Sequence, residues 1–285
     1  MENCVRTAQA ALLQSCQFLA KNLPIKANTT LNEKFNIQPT VAPAETDYFS
    51  MKYAVIGNGG HTVAIGPNNG SSGASLSTPV PVMHTPRHTA LYNHLPFALR
   101  LPNQDLPAAQ RAGYRMRRLE QHDGKTYVAY YAKVLDLSQT LPTLEYRTVK
   151  DGATTSTEYI PTLGDLSPTP PALTTGTVIT TSADYVAATA KINFTLAPSE
   201  IDELLNVSNI IYGSENYAII SEIGMVAGVD RQVSGDFNGI SASYTEVIGA
   251  RVTHFISSFF SAKFNNGSIS AMLDIGSLES LLVSK

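Results

Sequence analysis

The stretch SASYTEVIGARVTHFISSFFSAKFNNGSISAMLDIG, residues 241–276, constrains the fold more than any other part of the chain. Its apolar residues alternate or run over strand lengths, the signature of extended segments with a buried face. In extended backbone, Tyr244, Glu246 and Ile248 point to one face, and Thr245, Val247 and Gly249 to the other. Asn265-Asn266-Gly267 supplies a hairpin turn. With NYAIISEIGMV at 216–226, these segments are expected to pair in one antiparallel sheet. Glu222 and Glu246 fall among apolar neighbours, where an unpaired carboxylate is costly. Each should therefore reach a partner, with Arg231 and Arg251 nearest in sequence, or else reach solvent or a subunit contact.

The rest of the chain repeats the strand signal. MKYAVIGNGGHTVAIG at 51–66 reads as two short strands around a glycine-rich turn, and HDG at 122–124 turns into the strand KTYVAYYAKVLDL. EYRTVKDGATTSTEYI at 145–160 reads as a hairpin turning at Lys150-Asp151-Gly152. Strands are expected at 177–182 and 189–196, followed by a short helix capped by Ser199. Two further helices are expected. Residues 5–23 carry a stripe of Val5, Ala8, Leu12, Cys16, Leu19 and Leu23, and residues 106–120 follow Pro107. Residues 24–49 are polar and dotted with Pro24, Pro39 and Pro43, which reads as an extended arm. A helix on such an arm either grips a neighbouring subunit or folds back on its own domain. Residues 67–88 form a long loop. Its Asn/Gly/Ser part is expected at an exposed edge, and its proline-stiffened part along a neighbour. The expected fold is therefore α+β and mostly β, with antiparallel sheets, an N-terminal helix and an extended arm. Pro161, Pro168, Pro170 and Pro171 mark an internal boundary. The division reads as 1–49 helix and arm, 50–165 first β-rich domain and 166–285 second β-rich domain.

Composition narrows the function classes. Asp, Glu, Lys and Arg make up 15% of the 285 residues, against about 25% in ordinary soluble domains. A chain this poor in charge, yet 43% hydrophobic, has enough for a sizeable core and is expected to hide surface in an assembly. The net charge of −3 offers no broad basic surface for nucleic acid. No stretch approaches eighteen consecutive apolar residues, so no helical membrane span is expected. Cys4 and Cys16, on one helix, would stand too far apart for a disulfide and are expected as free thiols. The start of the chain lacks the clean hydrophobic centre of a targeting peptide, which points to a cytosolic origin.

Candidate chemistry is sparse. Gly57, Gly59 and Gly60 follow a strand, but the third glycine of a dinucleotide fingerprint would fall at Thr62, and strand-like VAIG follows where a helix is needed. The glycines therefore read as a turn. His61, His84, His88 and His94 cluster early. His84 and His88 have the spacing of two ligands on a helix, but Pro86 between them argues against a helix and no carboxylate or thiol stands at ligand spacing. Arg111, Arg115 and Arg118 would share one face of the helix expected at 106–120, with Arg117 beside them. Salt bridges across a subunit contact are the stronger expectation, a phosphate contact the weaker. No G-x-S-x-G nucleophile motif is present. No catalytic, cofactor-binding or metal residue is assigned, no cofactor is expected, and the chain does not read as an enzyme.

Three stretches together carry a resemblance: YAVIGNGGH…HTALYNHLPFALR at 53–100, RMRRLEQHDGKTYVAYYAKVLDLS at 115–138, and SEIGMVAGVDRQVSGDFNGISASYTEVIGARVTHFI at 221–256. The set resembles uncharacterised virion structural proteins of tailed bacteriophages. SEIGMV is also similar to the docking strand of phage tail-collar fibre proteins, although the long repetitive shaft of those fibres is missing here. The resemblance implies a structural protein at the tail, baseplate or neck. It would act through contacts with copies of itself in a symmetric ring and with other phage tail, baseplate or neck proteins. It would be made in the bacterial host cytoplasm and reside in the virion. A capsid decoration or head-completion protein is the alternative, and a DNA-contacting virion protein a more distant one. The resemblance carries no catalytic residue.

Overall fold

The computed structural model describes residues 3–65, 77–170, 172, 175–237, 240–264 and 267–284. In chain order the elements are β1 (Asn3–Arg6), α1 (Ala8–Phe18), α2 (Leu31–Phe35), β2 (Ser50–Gly57), β3 (His61–Ile65), β4 (Ser77–Pro81), β5 (His94–Leu95), β6 (Ala98–Arg100), α3 (Ala108–Arg111), β7 (Tyr114–His122) and β8 (Lys125–Val134). Then follow β9 (Thr143–Lys150), β10 (Ala153–Glu158), α4 (Leu163–Leu166), β11 (Ile179–Leu196), α5 (Pro198–Tyr212), β12 (Ile219–Phe237), β13 (Ile240–Ser261) and β14 (Ile269–Ser284). The fold is mostly β with antiparallel sheets and a helix near the N-terminus, the class the strand patterning implies.

The chain forms two compact units, Met1–Leu135 with Thr195–Ser270, and Asp136–Phe194 with Ala271–Lys285. These replace the division at 49 and 165. The reason is long-range strand pairing: β12 hydrogen-bonds to β2 in antiparallel register, with Ile223 opposite Ile56 and Met225 opposite Ala54. A sheet built this way joins the two ends of a sequence and ignores a proline-rich stretch between them.

The first unit holds an eight-stranded sheet in the order β1-β13-β12-β2-β8-β6, with β5 paired to β2 and β7 to β8. The β12/β13 pair runs from Ile219↔Ser261 to Phe237↔Ile240, with register irregularities that include one between Ile220 and Glu222. An irregularity of this kind re-aims the next side chain, here Glu222. On the sheet, Tyr53, Val55, Val252 and Phe255 pack with Leu31 and Phe35 of α2 and Val207 of α5 in one buried cluster. A second cluster joins Leu13, Cys16 and Leu23 to Phe49, Ala227, Val229 and Ile248. The second unit holds a four-stranded sheet in the order β10-β9-β11-β14.

The N-terminal segment folds back on its own unit and is no free arm. β1 pairs with β13, with Val5 opposite Phe255. α1 is shorter than the expected 5–23, and its buried residues are Ala10, Leu13 and Cys16, while Leu12 and Leu19 face outward. Within the expected arm, Thr30 and Glu33 form a capping box for α2. Asn32, buried, donates to Ile37 O and Val247 O and accepts from Ala250 N.

The helix expected at 106–120 shrinks to α3, and residues 114–122 are strand β7. The tight turn after it decides this. Asp123 and Gly124 both have positive φ, 47° and 72°, the backbone of a two-residue hairpin that needs a strand on each side. His122 is opposite Lys125. Asp151 and Gly152 build the same turn between β9 and β10, as the sequence implied. The strands expected at 177–182 and 189–196 are one continuous β11. Pro198 occupies the first helical turn of α5, so the cap is Ala197 and not Ser199. Its N–H donates to the Glu200 carboxylate. The polar part of the loop at 67–88 and the turn residues Asn265 and Asn266 lie outside the described residues. The proline part pairs within its own unit. Residues 77–81 form β4 against β3, Val82 N–H donates to Gly60 O at 2.8 Å, and the Ser257 hydroxyl donates to Val82 O.

Candidate functional site

Glu222 enters the first unit from β12 with a side chain fully shielded from solvent. Its carboxylate is saturated by donors. Oε1 accepts from Gly59 N at 3.0 Å and Asn93 N at 2.9 Å, and Oε2 from Tyr92 N at 2.9 Å. The fourth partner is His84 Nε2, 2.8 Å from Oε2. Four donors on a dry carboxylate offset most of the desolvation that makes buried charge expensive. The carboxylate thereby joins β12, the turn at 57–60 and the segment at 82–93.

The glycine turn exists for this approach. A Cβ at Gly57 would stand 2.3 Å from Asn93 O and 2.6 Å from Glu222 Oε1, and one at Gly60 would stand 2.6 Å from Ser221 O. Gly60 N–H donates to the Ser221 hydroxyl at 2.9 Å. Asn58 N–H donates to Asn93 O, which fixes the turn from its other side. The glycine motif therefore packs a protein carboxylate where a dinucleotide fold would pack a pyrophosphate.

His84 lies between two rings. Its plane stacks on Phe255 at 3.9 Å between centroids and on Tyr92 at 4.3 Å. Its Nδ1 is 3.1 Å from Nδ1 of His88, which is half-buried. The chain Glu222–His84–His88 thus runs from a dry carboxylate to the edge of solvent. His94 is apart from it: edge-on to Phe35, with Nε2 accepting from Leu91 N–H at 3.1 Å. Burial, with smaller contributions from Lys34 and His84, pushes its pKa down to about 3. His61 packs edge-on to Phe259. Among the described residues, no three His, Cys, Asp or Glu side chains are grouped to hold a metal ion. Cys4 and Cys16 are free thiols.

A second carboxylate, Glu246 of β13, is fully buried and takes Met116 N–H at 2.6 Å, Arg117 N–H at 3.0 Å and Val247 N–H at 2.8 Å. Met116 has φ 59°, which turns two successive amides toward the carboxylate as an anion nest. Burial pushes the Glu246 carboxyl above its usual range, against the pull of these amides and Arg115. Beside it is a pocket of about 310 Å3 lined by Arg111, Arg115, Arg117, Tyr114, Tyr130 and Tyr244. Two of its arginines are paired within the chain. Arg115 meets Asp230 at 2.8 Å and Arg117 meets Asp105 at 3.3 Å. Asp230 also takes Lys52 and the Tyr53 hydroxyl. Burial raises Asp230, but Arg115, Lys52 and Tyr53 together hold it below the usual carboxylate range.

Arg115, Arg117 and Arg118 are therefore carried on a strand and bonded internally, while Arg111 ends α3. Arg115 and Arg117 share a face of β7, and Arg118 turns away to Glu120 and Phe35 O. Neither glutamate takes the arginine nearest in sequence. Arg231 bonds Asp47, and buried Arg251 donates to Gln9 and to Pro24 O, tying down the N-terminal segment. The carboxylate–histidine chain was missed because its members lie 138 residues apart. The readable signals were a charged residue inside the apolar run IISEIGMV and a glycine turn with no helix behind it.

A family profile covers residues 1–285. The chain belongs to the DUF7208 family, a family of unknown function. No curated protein and no solved structure matches it. Among the described residues, no helix is long and apolar enough to cross a membrane.

Proposed function

We propose that the chain is a structural component of a tailed bacteriophage virion, at the tail, baseplate or neck. In this reading it works by burying surface against copies of itself in a ring and against neighbouring virion proteins. The observation that carries the reading is the pair of open edges on the sheet of the second unit. Both outer strands, β10 and β14, are sheet edges, and every residue of β10 is exposed. Large apolar side chains stand in solvent across this unit: Leu163 at 82%, Leu166 at 79%, Ile160 at 69%, Leu282 at 67% and Leu278 at 62% exposure. Open strand edges with apolar side chains are templates for association, and a free monomer normally blunts them. The resemblance of 53–100, 115–138 and 221–256 to phage virion proteins gives the assembly its kind. The saturated internal bonding of Glu222, Glu246 and the arginines is consistent with charge used to hold a scaffold rigid.

Two measurements test it. Light scattering on the purified chain should give a defined oligomer, and Leu278→Asp with Leu282→Asp should lower its mass while leaving the circular dichroism unchanged. Peptides of the chain should also appear at fixed stoichiometry in purified particles of a phage that encodes it. A monomer at every concentration, absent from particles, would overturn the proposal.

A further inference from the structure

The four-stranded sheet of the second unit ends in two strands of different kinds. β10 has six residues, mostly threonine and serine. β14 has sixteen, and its last part, Leu278–Val283, holds Leu278 and Leu282 in solvent. Neither strand contains Lys, Arg or Pro, the residues that ordinarily blunt an edge.

The hairpin fixes which backbone groups of β10 are open. Asp151 and Gly152 form a two-residue turn, so the residues flanking it, Lys150 and Ala153, form a hydrogen-bonded pair. The same phase returns at Thr155 and Thr157. Tyr159 keeps it, its N–H donating to Leu144 O at 2.9 Å. Thr154, Ser156 and Glu158 therefore turn N–H and C=O away from β9. Among the described residues, no strand pairs with them on that side.

A second copy of the chain brings what this edge lacks. Two copies related by a two-fold axis join like edges, β10 to β10 or β14 to β14, and leave the other edge of each copy open. Head-to-tail order joins unlike edges and covers both. The dimensions agree: Leu278–Val283 is as long as β10, and the short side chains of β10 leave room for Leu278 and Leu282 beside them.

We propose that β10 of one copy pairs with the Leu278–Val283 part of β14 in the next, so that one sheet continues from subunit to subunit. This rests on the ring of copies proposed above and names its contact. The N–H groups of Thr154, Ser156 and Glu158 donate to backbone carbonyls of the neighbouring β14, and Leu278 and Leu282 supply the apolar cover.

The test mixes two variants of the full chain. Thr154→Pro with Ser156→Pro removes two outward N–H groups of β10 and keeps the bonds to β9, because proline is accepted where an edge N–H faces solvent. Leu278→Asp with Leu282→Asp charges the other edge. In light scattering each variant alone should be a monomer. An equal mixture should give a one-to-one dimer, since each copy keeps one competent edge and the two are unlike. A dimer formed by either variant alone would show like edges pairing and overturn the inference, as would a mixture that stays monomeric. If both variants assemble to the wild-type mass, the inference falls and the ring reading stands. A wild type that is a monomer at every concentration overturns the inference, and with absence from particles the ring reading as well. If the proline variant fails to fold, amide exchange decides. The amides of Thr154, Ser156 and Glu158 should be protected in the wild-type assembly and lose that protection in Leu278→Asp with Leu282→Asp; equal exchange in the two would overturn the pairing.

Discussion

Glu222→Gln perturbs the buried carboxylate while keeping its shape. The amide nitrogen must take the place of one oxygen. At the Oε1 position it would confront Gly59 N–H and Asn93 N–H; at the Oε2 position it would confront Tyr92 N–H and His84. Either way two of the four bonds are lost, and the other two lose their charge. Bonds to a charged group contribute about 1.5–3 kcal/mol each, which puts the loss at roughly 3–6 kcal/mol. We therefore expect about 4 kcal/mol of destabilisation, read as a fall in the urea midpoint at unchanged slope. Exposed Glu279→Gln is the control, and surface changes of that kind stay within about 0.5 kcal/mol. A loss below about 1 kcal/mol for Glu222→Gln would refute the view that the carboxylate stitches three segments together.

Three further outcomes follow from the same geometry. Gly57→Ala sets a Cβ 2.3 Å from Asn93 O, so thermal melts should show a loss of about 2 kcal/mol or more. A chain lacking residues 1–45 loses Leu13, Cys16, Leu23, Leu31, Phe35 and Ile37 from the core. At about 2–5 kcal/mol for each large apolar side chain removed, it should lose its cooperative unfolding transition in calorimetry. The third outcome concerns acid. His94 and His254 are held neutral by burial, at about 3 and about 4, below the ordinary 6.5. A depressed histidine contributes stability that is full above the unfolded value and lost as the pH falls through the folded one. Urea midpoints should therefore fall as the pH drops from about 6.5 toward about 3, at up to about 1.4 kcal/mol per pH unit for each group. The fall should be shallower in His94→Gln.

The sequence by itself determined what depends on near neighbours. Period-two alternation placed β8, β12 and β13, and Asp151-Gly152 placed the β9/β10 hairpin, because positive φ at two successive residues admits few other backbones. The same logic at Asp123-Gly124 would have shown that 114–122 is a strand, but the run RMRRLE has residues common in helices, and propensity yields to pairing. Thr30 and Glu33 spelled out a capping box inside the expected arm, a local signal that was legible and passed over. The need of Glu222 and Glu246 for partners was also legible, since an unpaired carboxylate in an apolar run is costly wherever the strand goes. Only the tertiary structure decided who those partners are. His84 and the amides of Gly59, Tyr92 and Asn93 reach Glu222 from segments distant in sequence, and the amides of Met116 and Arg117 reach Glu246 through a left-handed residue that no composition rule marks. Backbone donors carry no side-chain signature, and strand register sets which of them face a given carboxylate. The fold class could therefore be read from the order of residues, but the site could not.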